Sequence, residues 1–256
     1  MKTRRKKERL IALGVIAVPI LVILLWQAGS MMIGELALPS PFHTFLVLED
    51  GLIKGGWMLS DLKDTMVELL FGFLLAAAVG LAIGFILGTN RFLREVMEPF
   101  VLNIYAIPKV TLFPVFLISF GLGMESKVAF GFFHGVFPII ILSMGAMKDI
   151  NGVFLRVGRS FRLNPFQVYK EIVFPSILPS LMTGLRLGFN LSFIGVILGE
   201  MAASRSGLGY MLMKSEESFY MEKVISIVLV LTVIAIAVNY SFYSFEMRLI
   251  KSRTIP

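Results

Sequence analysis

The sequence predicts an all-α membrane protein, a polytopic helix bundle with about six transmembrane helices in one domain spanning residues 1–256. Of its 256 residues, 57% are hydrophobic and only 16% are charged, and the mean hydropathy is +0.84. Soluble domains carry about 25% charged residues, so a soluble enzyme is excluded. Long apolar stretches and an uneven distribution of basic residues support the same prediction.

The apolar residues form stretches that match the roughly 20 residues needed to cross a bilayer as a helix. The first follows the basic segment 1–9 and is longer than the apolar core of a signal peptide, which spans about 7–15 residues. We therefore expect an uncleaved anchor helix, with a removed signal peptide as the alternative. The six predicted spans are 10–29, 65–89, 97–120, 125–147, 173–200 and 221–246.

The basic residues predict the orientation in the membrane. If residues 1–9 are cytoplasmic, 16 of the 24 lysines and arginines fall in inner segments and only 6 in outer segments. This is the bias of the positive-inside rule. We expect the protein to lie in the cytoplasmic membrane of a bacterial or archaeal cell, with both termini, including the tail 247–256, in the cytoplasm. Segment 30–64 is then an outer loop with a short surface helix, and segment 148–172 is a basic inner loop.

Two of the predicted spans carry small residues at intervals of about one helical turn. Lipid tails give no hydrophobic drive for helices to associate, and small residues allow close backbone approach instead. This pattern predicts tight helix packing, in a compact bundle or a dimer. The packing residues are Gly72, Ala76, Gly80, Gly84 and Gly88 in the second span and Gly184, Gly188, Gly195 and Gly199 in the fifth.

Polar residues interrupt the other side of the fifth span. Arg186 and Asn190 lie well inside the apolar run, and Glu200 lies at its outer end. Ionisable residues in a bilayer are costly and usually face a bundle interior or a water-filled cavity. Two interpretations stay open: an internal contact that holds helices together, and the wall of a translocation pathway.

Lys109 lies in the middle of the third span, between Pro108 and Pro114. Prolines free backbone carbonyls, which favours a bend against protein or water rather than lipid. Because Lys109 is far from both ends of the span, we expect it to have a partner, with Glu68 and Glu200 as candidates. Lys109, Arg186, Asn190 and Glu200 are the predicted pathway residues.

The sequence lacks the motifs of catalytic and metal sites. It has no cysteine and only two histidines, the dipeptide Gly-Lys required by a phosphate-binding P-loop does not occur, and neither does H-E-x-x-H. We expect no catalytic residue, metal or cofactor in this chain and no nucleic-acid partner. Energy for transport must come from an ion gradient or from another chain.

The order and spacing of several short motifs resemble the permeases of binding-protein-dependent ABC importers of the sulfonate, nitrate and taurine type. The resemblance covers nearly the whole chain and implies the type I importer permease fold. The motifs are Leu38-Pro39-Ser40-Pro41, Gly88-Thr89-Asn90-Arg91, Glu98-Pro99, Ile107-Pro108-Lys109, Phe120-Gly121-Leu122-Gly123, Leu178-Pro179, Thr183-Gly184-Leu185-Arg186-Leu187, Gly199-Glu200-Met201 and Gly207-Leu208-Gly209-Tyr210.

The inner loop departs from the pattern E-A-A-x3-G-x9-I-x-L-P by which such permeases dock on their ATPase. Arg156 stands in place of the glutamate, Arg162 in place of the turn glycine, and Phe174 in place of the leucine, whereas Ile172 and Pro175 fit. A reversed charge requires a partner groove with compensating acids, unless coupling is weak or lost. Arginine adopts positive φ less readily than glycine, so the turn has another conformation or tolerates strain. The predicted coupling residues are Arg156, Val157, Gly158, Arg159, Arg162, Leu163, Asn164 and Pro165.

The resemblance implies the partners and the mechanism. Two permease chains, expected to be a homodimer, would enclose the pathway in the lipid membrane, and two ATPase subunits holding ATP and Mg would bind the inner loop. A binding protein would deliver a small anionic or polar solute to segments 30–64, 121–127 and 201–220. A gradient-driven secondary transporter or channel and a poorly coupled structural subunit are the alternatives.

Overall fold

A computed structural model describes residues 2–150 and 152–251, with the side chains of residues 1–13, 15, 16, 159 and 249–256 outside the described part. All its regular elements in that part are helical, as predicted. The helices are α1 (Lys2–Ile33), α2 (Pro41–Glu49), α3 (Leu59–Thr89), α4 (Arg91–Ala106), α5 (Phe113–Phe120), α6 (Met124–Lys148), α7 (Gly152–Ser160), α8 (Pro165–Val168), α9 (Phe174–Ala202), α10 (Leu208–Glu217) and α11 (Met221–Lys251).

Within the described residues, four helices are long and apolar enough to cross a membrane. They correspond to the second, fourth, fifth and sixth predicted spans. The bent pair α4–α5 counts as a fifth if it is one span, and the described apolar part of α1 is the shorter helix Ala17–Ile33. The four are Leu59–Thr89, Met124–Lys148, Pro165–Ala202 and Met221–Arg248.

The third predicted span, 97–120, is not one continuous helix. Arg91–Ala106 and Lys109–Phe120 meet at 82°. Ile107 is extended, with ψ 135°, because the residue before a proline is pushed out of the α region. Pro114 then lies in the first turn of α5, where its missing N–H costs nothing. Pro108 therefore produces a sharp break where the sequence predicted a bend.

The chain forms two compact units. The first comprises the described parts of Met1–Leu59 and Met211–Thr232. It contains α2, the short surface helix predicted in the outer loop, whose N-cap Ser40 accepts a hydrogen bond from the backbone N–H of His43. In the same unit, the hydroxyl of Ser226 donates to the carbonyl of Thr44 over 3.1 Å.

The second unit comprises the described parts of Ser60–Tyr210 and Val233–Pro256, and in it α6 contacts α4, α5 and α9. The small residues of α3 and α9 lie against α6. An ideal Cβ added at Gly80 would lie 2.8 Å from Cβ of Ile139, and one added at Gly195 would lie 3.0 Å from Cα of Gly131. These distances are too short for larger side chains, so the two small-residue stripes let the backbones approach closely.

The fifth predicted span begins earlier than expected. Asn164 caps α8 and Pro165 occupies its first turn, and Asn164 and Gln167 form a capping box. From Pro165 the chain continues through a π-helical turn, Tyr169–Val173, directly into α9. The inner loop is therefore α7, a tight turn, and the first turns of a helix that runs to Ala202.

Candidate functional site

Glu200, near the end of α9, is the centre of a buried polar cluster in the second unit. Its side chain is 0% exposed. Thr65 of α3 donates its hydroxyl hydrogen to Oε1 of Glu200 over 2.7 Å, and the backbone N–H of Gly209 donates to Oε2 over 2.7 Å. The hydroxyl of Thr65 in turn accepts from the backbone N–H of Leu208 over 2.8 Å. Residues of α3, which is far away in sequence, and of α10 therefore meet at one carboxyl group of α9.

Glycines let the segment after α9 approach Glu200 this closely. Gly207 has φ +101°, a conformation that L side chains rarely adopt. Its N–H donates to Oδ1 of Asp61 over 2.7 Å. A Cβ added at Gly209 would lie 2.6 Å from the carbonyl oxygen of Ile197. The motif Gly207-Leu208-Gly209 thus presents three backbone N–H donors to α3 and α9.

Glu68 and Lys127 complete the cluster. Their side chains are 5% and 2% exposed, and the carboxyl group of Glu68 lies close enough to that of Glu200 to interact with it directly. Lys127 Nζ donates to the carbonyl of Leu122 over 2.5 Å and to that of Gly123 over 2.9 Å. The lysine therefore anchors the turn before α6, and two carboxyl groups lie near a single buried cation.

A cavity of about 460 Å³ opens beside this cluster. It lies between the first turns of α3, the start of α6 and the segment after α9. Its lining combines acidic, basic and hydroxyl side chains, among them Lys63, Asp64, Glu68, Lys127, Ser204, Arg205 and Ser206.

The predicted coupling loop is an exposed basic element of the same unit. The side chains of Arg156 and Arg162 are exposed and form no ion pair within the described part of the chain. Phe161 and Phe166 are 75% and 72% exposed. Arginines beside bare aromatic rings are typical of interface cores, so this element has the character of a docking surface.

Arg162 lies in the left-handed region, with φ 55°, a backbone conformation that glycine adopts more readily than arginine. Of the two expected alternatives, the turn therefore tolerates strain. Leu163 N–H donates to the carbonyl of Gly158 over 3.1 Å and closes the turn. Gly158 is buried, and a Cβ there would lie 2.7 Å from Cδ1 of Ile172.

The other predicted coupling residues lie around this turn. Val157 and Pro165 are exposed, and Leu163 is half-buried. Val157 also lines a shallow cavity of about 270 Å³ together with Glu171 and Ile172. The side chain of Arg159 lies outside the described residues.

Lys109 does not contact Glu68 or Glu200, the partners expected for it. Its Nζ donates to the carbonyl of Tyr105 over 2.9 Å and lies 4.2 Å from the centroid of that ring. The break before Lys109 frees the Tyr105 carbonyl from the helical pattern, and the ammonium group takes it as acceptor. A local contact therefore replaces the long-range ion pair.

Arg186 and Asn190 contact α11. Nη1 of Arg186 lies 3.9 Å from Oε2 of Glu246, and the side-chain amides of Asn190 and Asn239 donate to each other over 3.1 and 2.7 Å. Glu200 lies in the separate cluster described above. The structure thus divides the four predicted pathway residues among three places, and their role in a pathway stays a prediction.

Sequence reasoning missed most of the Glu200 cluster. Thr65 and Asp61 carry no signal of their own, because polar residues in the first turns of a helix are common. Lys127 is one of the six basic residues that the orientation argument places in outer segments, and the structure buries its side chain. Asn239 is the stronger missed signal, since it is an amide in the middle of the last apolar span.

Comparisons with known proteins give a consistent result. A family model described as "Binding-protein-dependent transport system inner membrane component" matches residues 80–254. SsuC of Bacillus subtilis (strain 168), a permease protein named for aliphatic sulfonates, is 25% identical and covers 92% of this chain and 86% of its own. The taurine transport system permease protein TauC of Escherichia coli (strain K12) is 23% identical over 97% of this chain and 92% of its own.

Two further similarities concern another relative and the fold. The nitrate import permease protein NrtB of Synechococcus elongatus is 26% identical over 77% of this chain and 73% of its own. A solved structure of the MetNI methionine ABC transporter in an inward-facing conformation superposes with a TM-score of 0.67, at 13% identity, over 77% of this chain and 98% of the other. The structural match supports the fold predicted from the sequence motifs.

Proposed function

The chain belongs to the binding-protein-dependent transport system inner membrane components, the permease subunits of ABC importers, and from this premise we propose that it forms the translocation pathway for a small anionic or polar organic solute. The relatives are named for aliphatic sulfonates, nitrate and taurine, which are small and carry an anionic group. The predicted pathway residues Lys109 and Arg186 would favour such solutes electrostatically. The resemblance noted in the sequence motifs is thereby confirmed at the level of the family.

The chain works with three kinds of partner in this proposal. The sequence contains no Gly-Lys dipeptide and hence no P-loop. In this proposal, ATP and Mg are therefore bound by two separate ATPase subunits. A second copy of the chain completes the pathway, and a binding protein delivers the solute to segments 30–64, 121–127 and 201–220. With both termini cytoplasmic, the α7–α8 loop faces the ATPase.

The observation that carries this proposal is the exposed loop between α7 and α8. Exposed aromatic rings in water cost free energy unless a partner covers them, and Phe161 and Phe166 are both bare. Arg156 and Arg162 lie beside them without an ion pair in the described residues. A groove lined with acids would satisfy both features, so the ATPase partner is expected to present carboxylates where relatives' partners meet a glutamate.

Charge reversal in this loop tests the proposal. The chain would be reconstituted in liposomes together with its cognate ATPase and binding protein. ATP-driven uptake of radiolabelled solute would then be measured. We expect Arg156→Glu to lower uptake at least tenfold, because a carboxylate would face the acids of the groove. Arg248→Glu, a reversal at another exposed arginine on the same predicted side, should leave uptake within twofold.

Two results would contradict the proposal. Uptake that survives removal of ATP and collapses with a protonophore would indicate a gradient-driven transporter. Full uptake with an ATPase whose groove is built for the usual glutamate would show that the arginines select no special partner.

A further inference from the structure

The turn between α10 and α11 holds an aromatic residue in an unfavourable backbone conformation. Phe219 has φ 57°, in the left-handed region that a bulky residue rarely adopts. Its N–H donates to the carbonyl of Glu216 over 3.0 Å. The N–H of Tyr220 donates to the carbonyl of Ser215 over 2.9 Å. These two hydrogen bonds form a Schellman motif, in which glycine is the usual residue at the position of Phe219.

The side chain of Phe219 gains little from burial in return for this strain. It is 77% exposed, and the neighbouring Tyr220 is exposed as well. Glycine would relieve the backbone, so neither conformation nor packing explains a phenylalanine here. Strained residues of this kind cluster at functional sites. Among the described residues, the other non-glycine residue with a positive φ is Arg162, in the predicted docking loop on the inner side.

The turn is fixed by contacts on both of its sides. The carbonyl of Tyr220 accepts the backbone N–H groups of Lys223 and Val224 over 3.0 and 3.2 Å, at the start of α11. Nζ of Lys223 lies 4.9 Å from the centroid of the Trp57 ring and 5.4 Å from that of Tyr220, within the range of cation–π contacts. The exposed ring of Phe219 therefore stands on a preorganised support, which lowers the entropic cost of binding through it.

Acidic side chains flank the exposed ring in the sequence. Glu216 and Glu217 are exposed at the end of α10, and Glu222 lies in the first turn of α11. The predicted outer side as a whole carries nine acidic residues against six basic ones.

This charge decides which kind of surface can cover the ring. A second copy of the same face would bring like charges together, and anionic lipid headgroups would be repelled in the same way. The hydrocarbon of the bilayer is a poor environment for the flanking carboxylates. The complementary surface is an apolar recess on a protein, with lysines or arginines around it.

We propose that this turn, residues 216–222, is a contact point of the extracytoplasmic binding protein, with Phe219 entering an apolar recess on that protein and Glu216 and Glu217 facing basic residues around it. A few aromatic residues at the centre of an interface commonly contribute most of the free energy of binding. The inference rests on the proposed function, which supplies the binding protein, and adds the residues and the chemistry of the contact.

The test removes the ring and measures docking. The probe is the purified binding protein that supports ATP-driven uptake by this chain. Its affinity for the permease–ATPase complex in lipid nanodiscs would be measured by surface plasmon resonance. We expect Phe219→Ala and Phe219→Gly each to weaken binding at least tenfold, because both remove the ring. The control Phe92→Ala, at a phenylalanine that is 71% exposed in the first turn of α4 on the predicted inner side, should leave the affinity within twofold.

Thermal unfolding of the same preparations separates docking from a structural role. Glycine relieves the left-handed strain, so Phe219→Gly should unfold at the same temperature as the wild-type chain or above it, although it binds less tightly. A lowered midpoint together with an unchanged affinity would instead place the ring against lipid or within the fold, and would overturn the proposal.

The flanking acids give a second readout. We expect the double variant Glu216→Gln and Glu217→Gln to weaken binding at least threefold at low salt and to reduce its dependence on ionic strength, because charges at the rim of an interface act through the association rate. Tighter binding by the double variant would overturn the proposed basic recess. Unchanged affinity in both Phe219 variants would overturn the contact while uptake leaves the proposed function intact. Failure of every binding protein to support uptake would contradict the proposed function itself.

Discussion

Glu200 and Arg156 belong to the same compact unit, but their surroundings are opposite. Glu200 is fully buried and accepts two hydrogen bonds, one from a side chain of α3 and one from the backbone at the start of α10. Arg156 is exposed, and no described residue pairs with its side chain. The carboxyl group of Glu200 therefore finds its hydrogen-bond donors within this chain. The exposed arginines of the α7–α8 loop have no ion-pair partner among the described residues.

This difference distinguishes residues that stabilise the folded chain from residues that we expect to contact a partner protein. A charge buried in a membrane protein must be satisfied internally, because the hydrocarbon offers no compensation. An exposed arginine is solvated in the free chain and contributes little to stability. We therefore expect substitutions in the cluster to affect folding and substitutions in the loop to affect coupling. Each prediction below tests one side of that separation.

The largest effect is expected for Glu200→Ala. The substitution leaves the hydroxyl of Thr65 and the N–H of Gly209 without their acceptor, and each hydrogen bond to a charged group is worth about 1.5–3 kcal/mol. We expect a loss of at least about 3 kcal/mol, seen as a thermal unfolding midpoint in detergent lowered by several degrees or as failure to accumulate in the membrane. The matched substitution Glu125→Ala, at an exposed acid, should change the midpoint little. Equal midpoints for the two variants would show that the cluster does not hold the fold.

The second effect concerns the packing of α3, which carries Thr65 of the buried cluster, against α6. A Cβ at Gly84 would lie 2.6 Å from Cβ of Ser143 and 3.0 Å from the carbonyl of Ile140, whereas one at Gly145 would meet nothing within 4 Å. Gly84→Ala should therefore cost about 1–3 kcal/mol by overpacking. Gly145→Ala should be neutral or stabilise by up to about 1 kcal/mol through helix propensity.

Thermal unfolding of both glycine variants in the same detergent checks this prediction. A stabilised Gly84→Ala variant would show that α3 can move away from α6 without loss. In that case the small-residue stripe of α3 would serve another purpose than close packing.

The sequence predicted the helices more completely than the cluster, for a physical reason. Apolar length and small-residue spacing are local properties, so the second, fourth, fifth and sixth spans and both small-residue stripes could be read directly. A bend at Pro108 could also be predicted, although not the break of 82° between two helices, because a proline fixes where a helix ends and not the direction in which the chain continues. The cap at Asn164 was readable because capping depends on a few neighbouring residues.

The cluster could not be predicted because it depends on pairings across long stretches of chain. Thr65 and Glu200 are 135 positions apart, and the sequence around either residue does not indicate that it contacts the other. The expected pairing of Lys109 with Glu68 or Glu200 was wrong for the same reason: an accessible carbonyl nearby, that of Tyr105, satisfied the lysine first. Buried polar contacts are decided by which groups the fold brings within about 3 Å, and spacing along the chain carries no such information.

The smallest effect is expected at Arg162, where the comparison between the two regions is sharpest. A non-glycine residue in the left-handed conformation costs about 1–2 kcal/mol. Glycine removes this cost, but its greater conformational freedom in the unfolded chain cancels part of the gain in stability. We expect Arg162→Gly to raise the free energy of unfolding by about 1 kcal/mol or less, and Arg156→Gly, inside α7, to lower it by about 1 kcal/mol. Thermal unfolding in detergent measures both, and ATP-driven uptake is measured on the same preparations. If Arg162 belongs to the docking surface, Arg162→Gly should be more stable and yet couple less well, because the strained arginine would then be kept for its contact with the ATPase. A variant that is both more stable and equally active would show that the strain at Arg162 serves no partner.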